Sequence, residues 1–121
     1  MLDITFYSQN REEAEIVEVS EDFYEWLARS EFAKIGKSEV REMKVDGELI
    51  EVPVISLEGL NRRKLSDFFR DAIVEESDEM LNQFLRSQSK QEYRDVTYKL
   101  SLLQRLRKPI ENEQYKYLQR Y

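Results

Sequence analysis

The chain has no cysteine and no histidine among its 121 residues. Without cysteine there are no disulfides, no thiolate metal sites and no thiol nucleophile. Without histidine there is no Ser-His-Asp or Cys-His relay. The commonest transition-metal ligand and the commonest general base near neutral pH are also missing. An enzyme would have to work with carboxylates, Lys, Tyr or Arg. No glycine-rich phosphate loop, nucleophile motif or metal-ligand spacing accompanies those residues. The expectation is a protein that is not an enzyme, with no cofactor and no metal. No apolar run approaches the ~18 residues of a membrane span. The start, Met1-Leu2-Asp3-Ile4, lacks the basic and apolar stretches of a secretory signal. A soluble, cytoplasmic protein with no membrane partner is expected.

What the chain does have is charge, unevenly placed. Residues 1–60 hold fifteen acids and six bases, whereas residues 61–121 hold ten acids and thirteen bases. Between Asn10 and Glu25 there are seven acids and one base, Arg11. Asymmetry of this kind bears on partners more than on fold. Fourteen aromatic residues give the chain enough large apolar side chains to form a core.

The hydrophobic pattern has period two before Ser56 and helical periods after it. Leu2, Ile4 and Phe6 alternate with Asp3, Thr5 and Tyr7, which predicts a strand over 2–7. A second strand is expected over 15–19, with Val17 and Val19 facing inward. Ser20 is placed to cap a helix over about 21–30, with Glu21 and Asp22 complementing its dipole. Glu25 and Arg29 form an i,i+4 pair, and an irregular continuation ends near Gly36. Asp46-Gly47 between β-rich flanks predicts a two-residue hairpin turn, because Asp-Gly tolerates positive φ. That register pairs Val45 with Glu48 and Met43 with Ile50, within a hairpin over 43–55. Pro53 has no amide hydrogen and therefore places its strand at an edge locally.

From Ser56 onward, Leu57, Leu60, Leu65, Phe68, Phe69, Ala72 and Ile73 recur at spacings of three and four. Glu76 continues this stripe where an apolar residue is expected, so the helix is predicted to end near Ser77. The alternatives are a buried ion pair with an arginine or an exposed interface. Ser77 then caps a separate helix through Met80, Leu81, Phe84 and Leu85. A further helix is predicted over 91–107, with Tyr93, Val96, Leu100 and Leu103 on one stripe, Leu102 and Leu106 broadening it, and Pro109 stopping it. A short last helix runs through Tyr115, Leu118 and Tyr121. The whole reads as one α+β domain over 1–121: antiparallel strands with one short helix in 1–55, then three to four helices packing on the sheet in 56–121.

Four groups carry potential function. Glu12, Glu13, Glu15, Glu18, Glu21, Asp22 and Glu25 form a negative segment suited to steering and holding a basic protein partner. The bland alternative is a solvated face. Asn61-Arg62-Arg63-Lys64 forms an anion site if Asn61 caps a helix, with Leu60 and Leu65 as a hydrophobic staple. If the helix starts at Ser56, the same cations lie mid-helix. Asp67, Asp71, Glu75, Asp78 and Glu79 place carboxylates along a helix, with Arg63, Lys64 and Arg70 near enough to neutralise them. Last, Arg105, Arg107, Tyr115, Tyr117 and Tyr121 form a basic, Tyr-rich secondary interface candidate. Nucleic acid is disfavoured as a partner because the chain as a whole is negative. The function expected is a small acidic protein-binding module, in the form of an inhibitor or a toxin-neutralising, immunity-type protein. The alternative is a self-assembling accessory subunit in which the acidic half of one copy meets the basic half of the next.

Overall fold

The computed structural model describes residues 2–8, 14–45, 47–84 and 90–120. They build an α+β fold with the order β1 (Leu2–Ser8), β2 (Ala14–Val19), α1 (Glu21–Arg29), a 3-10 turn (Glu31–Lys34), β3 (Glu39–Val45), β4 (Glu48–Ser56), α2 (Leu60–Phe84), α3 (Lys90–Ile110) and β5 (Tyr115–Gln119). The five strands form one open sheet in the order β2-β1-β5-β4-β3, and every neighbouring pair is antiparallel. Among the described residues, no helix is long and apolar enough to cross a membrane.

The local signals in the first half hold. In the β1–β2 pair, Ile4 faces Val17 and Leu2 faces Val19. Val17 and Val19 are buried, as expected of them. The Ser20 hydroxyl accepts the Phe23 amide at 3.3 Å and starts α1. Ser30 ends it: its hydroxyl donates to the Leu27 carbonyl at 2.6 Å and accepts the Phe32 amide at 3.3 Å, which begins the 3-10 turn. Gly36 follows at φ +74°, a conformation that favours glycine, and a Cβ there would crowd Asn61 Nδ2 at 3.1 Å. The hairpin register is the predicted one, Val45 with Glu48 and Met43 with Ile50, and Gly47 has φ +80°. Asp46 lies outside the described residues. Pro53 lies opposite Val40 on β3, and β5 reaches β4 only at Ile55 and Ser56. The other flank of β4 is therefore open at Pro53, where its missing amide hydrogen costs nothing.

Three expectations for the second half are corrected. Residues 115–119 are a strand and not a helix, inserted between β1 and β4. Leu118 pairs with both Phe6 and Ile55 and is fully buried. The pattern Tyr-Lys-Tyr-Leu-Gln fits either period, and two waiting strand edges decide it. Second, α2 does not break at Ser77 but runs unbroken from Leu60 to Phe84. Third, the expected stripe of α3 is buried only in its second half: Leu102, Leu103 and Leu106 are buried as expected, with Pro109 and Ile110, whereas Tyr93 at its head is exposed. Pro109 sits in the last turn, and the helix ends one residue beyond it. The C-terminal group is thus two long helices and a strand.

The main core lies between the sheet and the helices. Ile4, Phe6, Val17, Val19, Ile55 and Leu118 from the sheet meet Phe23, Leu27, Phe32, Leu65, Phe69, Leu102, Leu103, Leu106 and Ile110. Rings of Phe32, Phe68 and Phe69 pack edge-on or tilted, with centroids 5.1–6.1 Å apart. Each fully buried side chain of this size contributes roughly 1.5–3 kcal/mol. A second cluster of Tyr7, Met43, Val52 and Val54 joins the hairpin to β1, with Val45 and Tyr117 packed against it.

Two arginines close the frame. Arg62 donates to the carbonyls of Ile110 (2.5 Å), Asn112 (3.1 Å) and Tyr115 (2.5 Å), capping α3 and the turn into β5. Arg120 donates to the carbonyls of Phe32 (2.5 Å), Ile35 (2.8 Å) and Gly36 (3.4 Å). Both supply cations to the carbonyl-rich ends of helices, which lack partners of their own.

Candidate functional site

The acidic segment does not form one surface. Glu12 and Glu13 lie outside the described residues. Glu15 and Glu18 are three apart on β2, so they point to opposite faces of the sheet. Glu18 lies beside Asp3 on β1, a like-charged cross-strand pair. Glu21, Asp22 and Glu25 sit on the first two turns of α1, all exposed, and Glu25 pairs with Arg29 at 3.6 Å. A pair this exposed contributes little.

Asp22 is the member of this group that enters a concavity. A groove of about 500 Å³ runs between α1 and α3, lined by Ser20, Asp22, Phe23 and Trp26 on one side and Asp95, Tyr98 and Lys99 on the other. Its size is in the range of ligand and side-chain pockets. Tyr98 fixes one end: its hydroxyl accepts the Ser20 amide at 3.2 Å, tying α3 to the cap of α1. Lys99 fixes the floor. Its ammonium lies 2.8 Å from Glu76 Oε1 on α2 and 4.0 Å from the centre of the Trp26 ring. This contact also resolves the misplaced acid of the sequence pattern. Glu76 keeps its place on the inner stripe of an unbroken helix because a lysine 23 positions later meets it.

The consequence for the groove is electrostatic. Its lining cation is committed to Glu76 and to the face of Trp26. The charges left to the opening are Asp22 and Asp95, the latter held by the Gln91 amide at 2.8 Å. Two carboxylates beside the exposed Tyr98 ring can accept a cationic side chain: the acids bind the charge, and the ring takes the aliphatic stem or the face of a guanidinium. Of these residues, the acidic segment read from the sequence contains Asp22, and the basic, Tyr-rich pattern contains Tyr98 and Lys99. Trp26 lies one turn from Asp22 on α1, whereas Asp95, Tyr98 and Lys99 lie 73 to 77 positions away and join them only through the packing of α3 on α1.

The other sequence candidates are placed as follows. α2 starts at Leu60, neither after an Asn61 cap nor at Ser56, so Asn61 lies within the helix, Arg62 and Arg63 fall in its first turn and Lys64 follows them. Asn61 donates its side-chain amide to the Ser56 carbonyl at 3.0 Å. Arg62 is spent on carbonyls, and Arg70 is spent on Glu111 through two bonds of 2.9 Å. The open groove over Gly59, Arg62, Arg63, Ser66, Arg70 and Glu111 keeps a positive balance, three arginines against one glutamate, with Arg62 and Arg70 already bonded within the fold. Glu111 also accepts Ser66 at 2.8 Å and Arg107 at 3.2 Å. The Arg70 bonds hold its carboxyl below the ordinary value, burial opposes them, and Ser66 and Arg107 add to the lowering. Among the described residues, no group of three or more Asp or Glu side chains is arranged to hold a metal ion.

The Tyr-rich candidates are dispersed. Tyr115 packs on the main core with its ring edge-on to Phe6, whereas Tyr117 belongs to the second cluster and lies under Arg41, 5.2 Å from ring to guanidinium. Arg107 is bonded to Gln104 and Glu111, and Arg105 is exposed. Tyr121 lies outside the described residues. Compared with protein-family models, with curated proteins and with solved structures, the chain matches none of them.

Proposed function

We propose that the protein is a non-catalytic binding module that takes lysine or arginine side chains of a basic protein partner into the α1–α3 groove. The observation that carries this reading is the commitment of Lys99 to Glu76 and Trp26, which leaves Asp22 and Asp95 as the charges offered beside the Tyr98 ring. The exposed acids beside the groove, Glu21 and Glu25, extend the same sign of potential outward and favour encounter with a positive surface. A cysteine- and histidine-free composition supports binding over catalysis. Covering the basic site of a toxin or enzyme is the form of this activity that the chain's small size and negative charge fit.

The test is capture at low salt followed by a double substitution. The tagged chain should retain a basic protein at ~50 mM salt and release it as salt rises, because exposed charge pairs are screened. Asp22→Asn with Asp95→Asn should weaken that complex at least tenfold without lowering thermal stability. Retention of full affinity by the double variant would overturn the assignment of the groove.

A further inference from the structure

We propose a second docking face: the outer strip of α2 from Asp71 to Leu81, which fits a basic amphipathic helix of a partner protein. Three observations carry it. First, Val74 and Leu81 are 60% and 58% exposed, seven residues apart on one side of the helix. Asp71 and Asp78 share that stripe with them, and Glu75 flanks it. Second, residues 71–84 contain five acids and no lysine or arginine. Glu76 alone of these is turned inward, to Lys99. Among the described residues, Asp71, Glu75 and Asp78 have no cationic partner. Third, no residue of α2 beyond Ala72 with a described side chain is fully buried, so this part of the helix projects past the core with its outer side uncovered.

An apolar pair at i and i+7 edged by carboxylates selects one kind of occupant. The partner must bring apolar side chains at helical spacing to cover Val74 and Leu81, and lysine or arginine at the flanks to meet Asp71, Glu75 and Asp78. The strip is about 15 Å long, the length of three helical turns. So small a face supports a weak, reversible contact and not an obligate one. It lies on a different helix from Asp22 and Asp95, so it does not depend on the groove.

The experiment uses the full chain, ¹⁵N-labelled, and a synthetic 18-residue helix with leucine on one stripe and lysine on both flanks. A control peptide replaces the leucines by serine at the same charge. The leucine peptide should shift amide resonances over 71–82 and leave those of residues 20–26 in place. Val74→Ser with Leu81→Ser should weaken it at least tenfold. Asp22→Asn with Asp95→Asn should leave it unchanged, so the groove and the strip fail or survive separately. Both serine positions are exposed, and an unchanged melting temperature confirms that folding is intact. The proposal is overturned if the serine peptide binds equally well, if the shifts map to α1, or if the double serine variant binds as the parent does. It is also overturned if sedimentation shows a dimer that the serine variant dissolves, because the occupant is then a second copy.

Discussion

The α2–α3 pair has two ends made of the same helices and joined to different surroundings. At the body end, Leu65, Phe69 and Ala72 of α2 and Leu102, Leu103, Leu106 and Ile110 of α3 are all buried against the sheet. At the arm end, residues 73–82 and 90–101 include no fully buried side chain. The body end is fastened by Arg62 on three carbonyls and by Glu111 between Arg70 and Arg107. At the root of the arm, Glu76 pairs with Lys99. The body end therefore carries stability, and the arm end, with little buried area to lose, is free to carry binding residues. Both proposed contact faces, the groove at Asp95 and Tyr98 and the strip at Val74 and Leu81, use this less buried end.

The largest expected effect comes from breaking the body end. Phe69 is fully buried and packs its ring on Phe32 and Phe68, with centroids 5.4 and 5.1 Å away. Phe69→Ala should destabilise the protein by roughly 3–5 kcal/mol, through lost transfer energy and the cavity left behind. Val74→Ala on the same helix, five residues on, should stay within about 0.5 kcal/mol. Urea denaturation of the two variants measures the contrast. Similar losses at both positions would show that the arm is as much a part of the core as the body end.

A smaller effect is expected at the root of the arm. Glu76 and Lys99 are 20% and 26% exposed, so their attraction is only partly screened. Lys99→Met leaves Glu76 without its cation and removes the charge from the face of Trp26. A double-mutant cycle with Glu76→Gln should return a coupling of about 1 kcal/mol, between exposed and buried pairs. Amide exchange sharpens the comparison: Lys99→Met should speed exchange over 74–82 and 91–98 more than over 102–108. Uniform acceleration along α3 would mean that the pair stabilises the whole fold and not the arm.

How much of this was legible in the sequence follows the range of the interactions. The Asp46-Gly47 hairpin and the Ser20 cap are decided within a few residues, and both are found where the pattern puts them. β5 was not legible, because Tyr115 and Leu118 satisfy a helical spacing and Tyr115 and Tyr117 a strand spacing. Its identity depends on β1 and β4, the former more than a hundred positions away. The break expected at Ser77 failed for the same reason. An acid on an apolar stripe signals a helix end only when no distant cation comes to meet it. The acidic segment was visible as composition. Its division between the two faces of β2 and the side of α1 required the fold, as did the meeting of Asp22 with Asp95.

The smallest effect is at the Glu111 fastening. Glu111 takes two bonds from Arg70, accepts Ser66 and lies beside Arg107, and these hold its carboxyl below its ordinary value of 4.5. A carboxylate with a lowered folded-state pKa adds stability that is full above the unfolded value and is lost as pH falls through the folded one. Between neutral pH and about pH 5 this fastening should therefore contribute a constant amount, and below about 4.5 it should fade. Glu111→Gln removes the titration, so the variant should be less stable at pH 7 and converge on the parent as the pH drops toward 3. Because Glu111 is still 27% exposed, the difference at pH 7 is expected to be modest, about 1 kcal/mol. Thermal melts of both proteins from pH 7 to pH 3 give the curve. The comparison of ends is decided by amide exchange in Glu111→Gln and the parent at pH 7, where the Glu76–Lys99 pair is the same in both. Loss of the Glu111 fastening should loosen α3 near Arg107 while exchange over 91–98 stays as it was, and loosening confined to 91–98 would assign Glu111 to the wrong end of the pair.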